Sequence, residues 1–179
     1  DKELWDLRWR QASELMYLIC GAYNDDSQHF QFNHRPILQK GLKGVLEDIQ
    51  KQLENAETKE EKDFLSAACE GLLSAKKISG KFADTAEEML KSDPQNENLK
   101  RIAESARRSP WEKPQSFYEA LNVYAFMRKV IGSLEGVGPN SFGRIDMDLY
   151  PFYEADIKSG AITREEAYEL ISKFLIIFD

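Results

Sequence analysis

The chain has 179 residues, enough for one domain with a sizeable core, and its 42% hydrophobic content excludes disorder along its whole length. A formal net charge of −7 and the lack of a basic stripe exclude a nucleic-acid partner held by phosphate contacts. The longest apolar run, Phe174 to Phe178, is far too short to span a bilayer. The two cysteines, Cys20 and Cys69, give neither a disulfide framework nor a metal spacing. No signal peptide opens the chain, so a cytoplasmic, reducing location is expected.

Helical periodicity dominates. Leu4, Leu7, Ala12, Leu15, Met16, Leu18 and Ile19 recur at helical spacing until Gly21 and Asn24-Asp25-Asp26 end the run. Trp5, Trp9, Tyr17 and Tyr23 share this region and are expected to pack into a core rather than form an aromatic ligand cage. A polar and aromatic loop over 27–35 leads to Pro36, which suits the first turn of a second helix bearing Leu38, Leu42, Val45, Leu46, Ile49 and Leu53. Within it, Gly41 and Gly44 are expected to admit a close neighbouring helix rather than to mark a break.

Thr58-Lys59-Glu60-Glu61 reads as a capping box. It opens a long helix whose core face would carry Phe64, Ala68, Leu72, Ala75, Ile78, Phe82, Ala86 and Met89. Asp93-Pro94 ends that helix, a shorter one covers roughly 97–107, and Pro110 and Pro114 bracket an extended link. Ser116 and Glu119 form a second box leading into Leu121, Tyr124, Met127 and Ile131, and Gly132, Gly136, Gly138 and Pro139 then predict a long irregular stretch. Ser141 to Tyr153 reads as a loop holding Arg144 and Asp146, charges that are costly to bury unless paired. A structural ion pair between them is therefore expected. Asp146-Met147-Asp148 resembles the start of a calcium loop, but Pro151 stands where Gly is needed and the distal Glu is missing, so no metal is assigned. Thr163 to Glu166 caps a last helix through Leu170, Phe174 and Ile177. With weak strand signals and no internal repeat or boundary, residues 1–179 read as one mainly α, multi-helix region. Its apolar run still in progress at Asp179 suggests a cut within a larger protein or a surface that a partner covers.

The segment Gly143-Arg144-Ile145-Asp146-Met147-Asp148-Leu149-Tyr150-Pro151-Phe152-Tyr153 resembles the Gly-Arg-x-Asp-x-x-Leu-Tyr-Pro-x-Tyr signature of glycyl radical enzymes of the pyruvate formate-lyase type. Other segments match the family in order: His29 to His34 with Leu38 to Gly44, Phe64 to Ala86, Pro114 to Leu121, and Phe152 through Leu170. The resemblance implies a β-barrel wrapped by helices, this chain supplying helical layer from the N-terminal half. It also implies a glycyl radical, installed by a separate S-adenosylmethionine and iron–sulfur activating enzyme and relayed to a cysteine. Members include formate acetyltransferases, diol- and choline-type lyases and decarboxylases, which act on small organic substrates in anaerobic metabolism.

Several positions depart from the family pattern. Neither radical residue can be assigned: Cys69 reads as mid-helix with Glu70 adjacent, and no segment fits the glycyl site. His29 aligns with a family histidine that faces substrate in some members. Asn33 and His34 stand where the family often has Asp and Tyr, and Met147-Asp148 replaces a usual Gln-Tyr. Gly138-Pro139 falls where diol-dehydratase-type lyases tend to place a substrate-contacting His-Ser. His29, Asn33, Gly138 and Pro139 are thus the candidate substrate-binding residues, with no catalytic residue in the chain. The expected function is a segment of a radical lyase or transferase whose partner is the rest of the barrel. The alternative is a stand-alone, non-catalytic helical binding protein derived from the family.

Overall fold

The computed structural model describes residues 2–20, 32–135 and 141–178. Among them it forms seven helices, α1 Lys2–Cys20, α2 Arg35–Glu54, α3 Lys59–Leu90, α4 Glu97–Arg108, α5 Phe117–Glu135, α6 Ile145–Ser159 and α7 Arg164–Ile176, and no β-strand. The mainly α expectation holds. Contacts group the chain into two compact units, Asp1–Asn33 with Met127–Arg144 and His34–Phe126 with Ile145–Asp179.

In the smaller unit α1 leaves Leu4, Trp5, Leu7, Trp9 and Leu15 in solvent. Trp5 is 64% and Trp9 54% exposed, their rings stacked in parallel at 5.8 Å, so core packing is not what places these two side chains. At i and i+4 on one helix face they shield each other instead. The α5 helix runs on through Gly132 to Glu135, so the chain is helical where an irregular stretch was expected from that glycine.

The larger unit is built on local caps that the sequence announces. Thr58 Oγ1 accepts the Glu61 amide at 3.2 Å while the Glu61 carboxylate accepts the Thr58 amide at 3.1 Å. Thr163 and Glu166 repeat the arrangement at 3.1 and 2.7 Å. Each pair satisfies amides that the first helical turn would otherwise orphan.

The second helix departs from expectation at Gly41, which adopts φ +71° and ψ 172° and breaks the helical path. The amides of Leu42 and Lys43 turn to the carbonyls of Pro110 and Trp111, at 2.9 and 3.0 Å. A Cβ at Gly41 would lie 2.3 Å from the Trp111 carbonyl oxygen, so glycine is required both for its positive φ and for this approach of the α4–α5 link. The neighbour is the turn that follows α4 and not a helix. At Gly44 an added Cβ would meet only the Lys40 side chain.

The long α3 buries only part of the predicted face, Ala75 and Ala86, and adds Ser79 and Ala83 to it. Phe64, Phe82 and Met89 are 73%, 55% and 54% exposed, while Ala75, Ser79, Ala83 and Ala86 are buried. Small side chains at this spacing let α4 pack closely, with Ala103 buried on its side. Ser79 Oγ donates to the Ala106 carbonyl at 2.7 Å, supplying a partner at the carbonyl end of α4. Arg107 of α4 bridges Asp84 and Glu87 of α3, and these bonds hold its guanidinium pKa above the usual value.

The predicted loop after Ser141 is mostly helix. Only 141–144 stay non-helical, and α6 contains Asp146, Asp148 and even Pro151. Proline costs a helix interior one amide bond, but acids in the first turn and burial of Leu149 and Asp156 favour the helical path. Gly160, at φ +73°, ends α6, with the Ala161 amide bonded to the Asp156 carbonyl at 2.9 Å.

Two glycine replacements separate these effects. Gly41→Ala is expected to lower unfolding free energy by about 3 kcal/mol, from backbone strain and overlap with Trp111. Gly71→Ala, in a helix interior with open space around it, is expected to raise it by about 0.5–1 kcal/mol. Urea unfolding of both variants checks this, and equal shifts would remove the special role of Gly41.

Candidate functional site

A polar network in the larger unit joins the start of α2, the middle of α5 and the start of α6. Asp148 is its hub. Its Oδ1 accepts from Arg35 Nε at 2.7 Å, and its Oδ2 accepts the Tyr124 hydroxyl at 2.8 Å. The Tyr124 ring is fully buried and stacks on His34 with centroids 3.8 Å apart. The carboxylate is supported by its place in the first turn of α6, where the amide end of the helix favours negative charge. Arg35 is half exposed at 56%, whereas the Asp148 side chain is only 12% exposed, so the pair is sheltered on the acid side.

Burial raises the Tyr124 hydroxyl pKa well above the ordinary tyrosine value. The hydrogen bond to Asp148 and the negative charges of Asp148 and Asp146 add to the rise, and Arg35 opposes it. Tyr124 is therefore a fixed hydrogen-bond donor at neutral pH. It is not a general acid or base, which would need a pKa near the working pH.

The candidate residues fall around this network unevenly. Asn33 is exposed and directly precedes the buried His34. His29, Gly138 and Pro139 lie outside the described residues. Arg144 ends the non-helical stretch and Asp146 lies in the first turn of α6; both are exposed and not buried as the loop reading assumed. Cys69 is a partly exposed thiol in mid-α3. Among the described residues no three His, Cys, Asp or Glu side chains converge on a metal position, and no helix is long and apolar enough to cross a membrane.

Sequence reasoning missed Arg35, Tyr124 and Asp148 as a set. Tyr124 reads as one apolar position of α5, yet a buried tyrosine hydroxyl demands a partner. That demand was the available signal; the identity of the partner, 24 positions away, was not.

The segment from Pro114 to Leu121 belongs to the framework of the larger unit. Phe117, Ala120 and Leu121 are buried. Glu119 takes a forked bond from Arg108 at 3.1 and 3.0 Å and accepts the Gln115 amide at 2.7 Å. Ser116 caps the Glu119 amide at 3.2 Å, so the second box forms with its acid bonded one residue further upstream than usual. The buried Asp156 of α6 accepts the Phe117 amide at 2.8 Å. A separate groove of about 900 Å³ runs between α4, α5 and α7. Arg101 lies over the Tyr118 ring in its wall, at 3.8 Å from the centroid. Lys173 and Glu169 put both charge signs on its rim, which favours no one ligand charge.

The pyruvate formate lyase-like family model matches residues 9–179. The chain is 31% identical over 152 residues to the (2S)-3-sulfopropanediol dehydratase of Klebsiella oxytoca, covering 80% of this chain and 18% of that enzyme. A glycyl radical enzyme from Archaeoglobus fulgidus superposes with a TM-score of 0.73 at 29% identity, over 80% of this chain and 20% of the other. The glycerol-bound B12-independent glycerol dehydratase from Clostridium butyricum gives 0.74 at 26%, over 85% and 20%. The chain thus spans about a fifth of the length of these relatives. A family model that reaches from residue 9 to 179, and helices that superpose on those of glycyl radical enzymes, place the chain in the pyruvate formate lyase-like family of glycyl radical enzymes.

Proposed function

We propose that this chain forms part of the helical wall of a glycyl radical lyase that cleaves a C–C or C–heteroatom bond in a small organic substrate. The observation that carries the reading is the family match over residues 9–179, together with 31% identity to a dehydratase. Similarity to dehydratases favours elimination over the acyl transfer of formate acetyltransferases and other transferases. His29 and Asn33 would face the substrate, and Gly138 and Pro139 would line the pocket where diol-dehydratase-type lyases tend to carry His-Ser. Replacing two polar side chains with Gly and Pro suits a substrate larger or more apolar than a small diol. Arg144 and Asp146 would pair to hold the turn into α6.

The radical itself does not fit the residues described. Cys69 sits within a continuous helix, not on an exposed tight loop, so no step is assigned to it. The remaining barrel would contribute the radical cysteine and glycine. A separate S-adenosylmethionine and iron–sulfur enzyme would install the radical in an anaerobic cytoplasm. What this chain supplies is shape and hydrogen bonding around the substrate.

The polypeptide purified anaerobically from its native source, and treated with such an activating enzyme, is expected to have a mass several times 20.6 kDa and to show a carbon-centred radical by electron paramagnetic resonance. A mass near 20.6 kDa with no radical would overturn the reading in favour of a free-standing binding protein. In the active enzyme His29→Ala is expected to lower kcat/KM about a hundredfold, and unchanged kinetics would remove His29 from the site. Arg144→Ala is expected to lower stability by about 1 kcal/mol with little change in kcat; a stable but inactive variant would make Arg144 part of the chemistry instead.

A further inference from the structure

We propose that Tyr124 and Asp148 are positioning residues that clamp His34 and Arg35, the two residues directly following Asn33, and so fix the backbone next to Asn33, which is assigned above to the substrate. The proposal rests on the functional reading for the role of Asn33, but the clamp itself stands on geometry alone. One face of the Tyr124 ring takes the His34 ring at 3.8 Å. Its hydroxyl is committed to Asp148 Oδ2 at 2.8 Å, and the other carboxylate oxygen holds Arg35 Nε at 2.7 Å. Two consecutive residues at the entry to α2 are thus fixed by one buried tyrosine and one sheltered acid.

Three further features agree. His34 is only 4% exposed although its neighbour Asn33 is exposed, so the chain passes from solvent to core within one residue at the clamp. The clamp also lies at the start of a helix that breaks at Gly41, with Ile37 and Leu38 buried between the two. And His34 and Asp148 meet on the same tyrosine, one on its ring and one on its hydroxyl. A backbone held this way keeps the adjacent Asn33 within the few tenths of an ångström that productive contacts require.

The test uses the intact, activated enzyme with Tyr124→Phe, Asp148→Asn and, as the variant least able to unfold the protein, Arg35→Gln at its half-exposed position. Hydrogen–deuterium exchange of residues 32–38 is expected to quicken in all three, and kcat/KM to fall about tenfold or more. The loss should fall mainly on kcat, with partial rescue by Arg35→Lys, which keeps the charge. Unchanged exchange overturns the clamp. Quickened exchange with unchanged kinetics in a working enzyme overturns the positioning role, because it leaves the network a purely structural one. If the wild-type enzyme turns over no substrate, the functional reading fails and the positioning role falls with it, while the exchange result still decides the clamp.

Discussion

Two backbone hydrogen bonds organise the larger unit: the amides of Leu42 and Lys43 bonded to the carbonyls of Pro110 and Trp111. They exist because Gly41 leaves the right-handed region and releases these amides from their own helix. The bonds pin the α4–α5 link onto α2. They therefore set where α4 ends against α3 and where α5 begins. Buried amides need partners wherever they lie, and here the partner is a segment almost 70 positions downstream, so a local break in one helix is also the principal long-range tie.

From that tie the arrangement passes to α5. Its first turn is held from three sides: Ser116 from within, Asp156 of α6 across the core, and Arg108 of α4 through Glu119. The middle of the same helix offers Tyr124 to Asp148. A helix so fully specified at its entry presents the tyrosine at a set height and rotation, which is the condition for a stacked ring and a short hydroxyl bond to coincide. Framework and candidate site are consecutive turns of one helix.

What could be read from sequence was what depends on neighbours a few residues apart. The boxes at Thr58 and Thr163, the Pro36 helix start and the break at Asp93-Pro94 all follow from such short spacings, and they recur in the structure. Readings that needed a distant partner went differently. Gly41 could not show its handedness without Trp111 beside it. On α3, Phe64 and Phe82 outrank Ala75 and Ala83 by hydrophobicity, yet α4 approaches where side chains are small, since only there can two backbones come close. Asp146, Asp148 and Pro151 together look like a loop, but tertiary burial of Leu149 and Asp156 overrides local preference. The candidate substrate-binding residues rest on likeness to a family, and His29, Gly138 and Pro139 lie outside the described residues. The network around Tyr124 was not legible in the sequence, because its members are scattered over residues 34–148 with no shared spacing.

The link between α4 and α5 has a consequence for how this protein can vary. Its contribution at Gly41 is made by main-chain carbonyls, which every residue type possesses, so side chains such as Lys113 can change with little effect on the tie. Its length cannot. Adding or deleting one residue between Ser109 and Ser116 would move the Pro110 and Trp111 carbonyls out of step with the two waiting amides, or shift the caps of α5. The turn at Ser92–Asn96, bonded mainly within itself, carries no such register. Natural variants of this chain should therefore differ in length at the α3–α4 turn far more readily than at the link, where Pro110 and Pro114 are also fully buried.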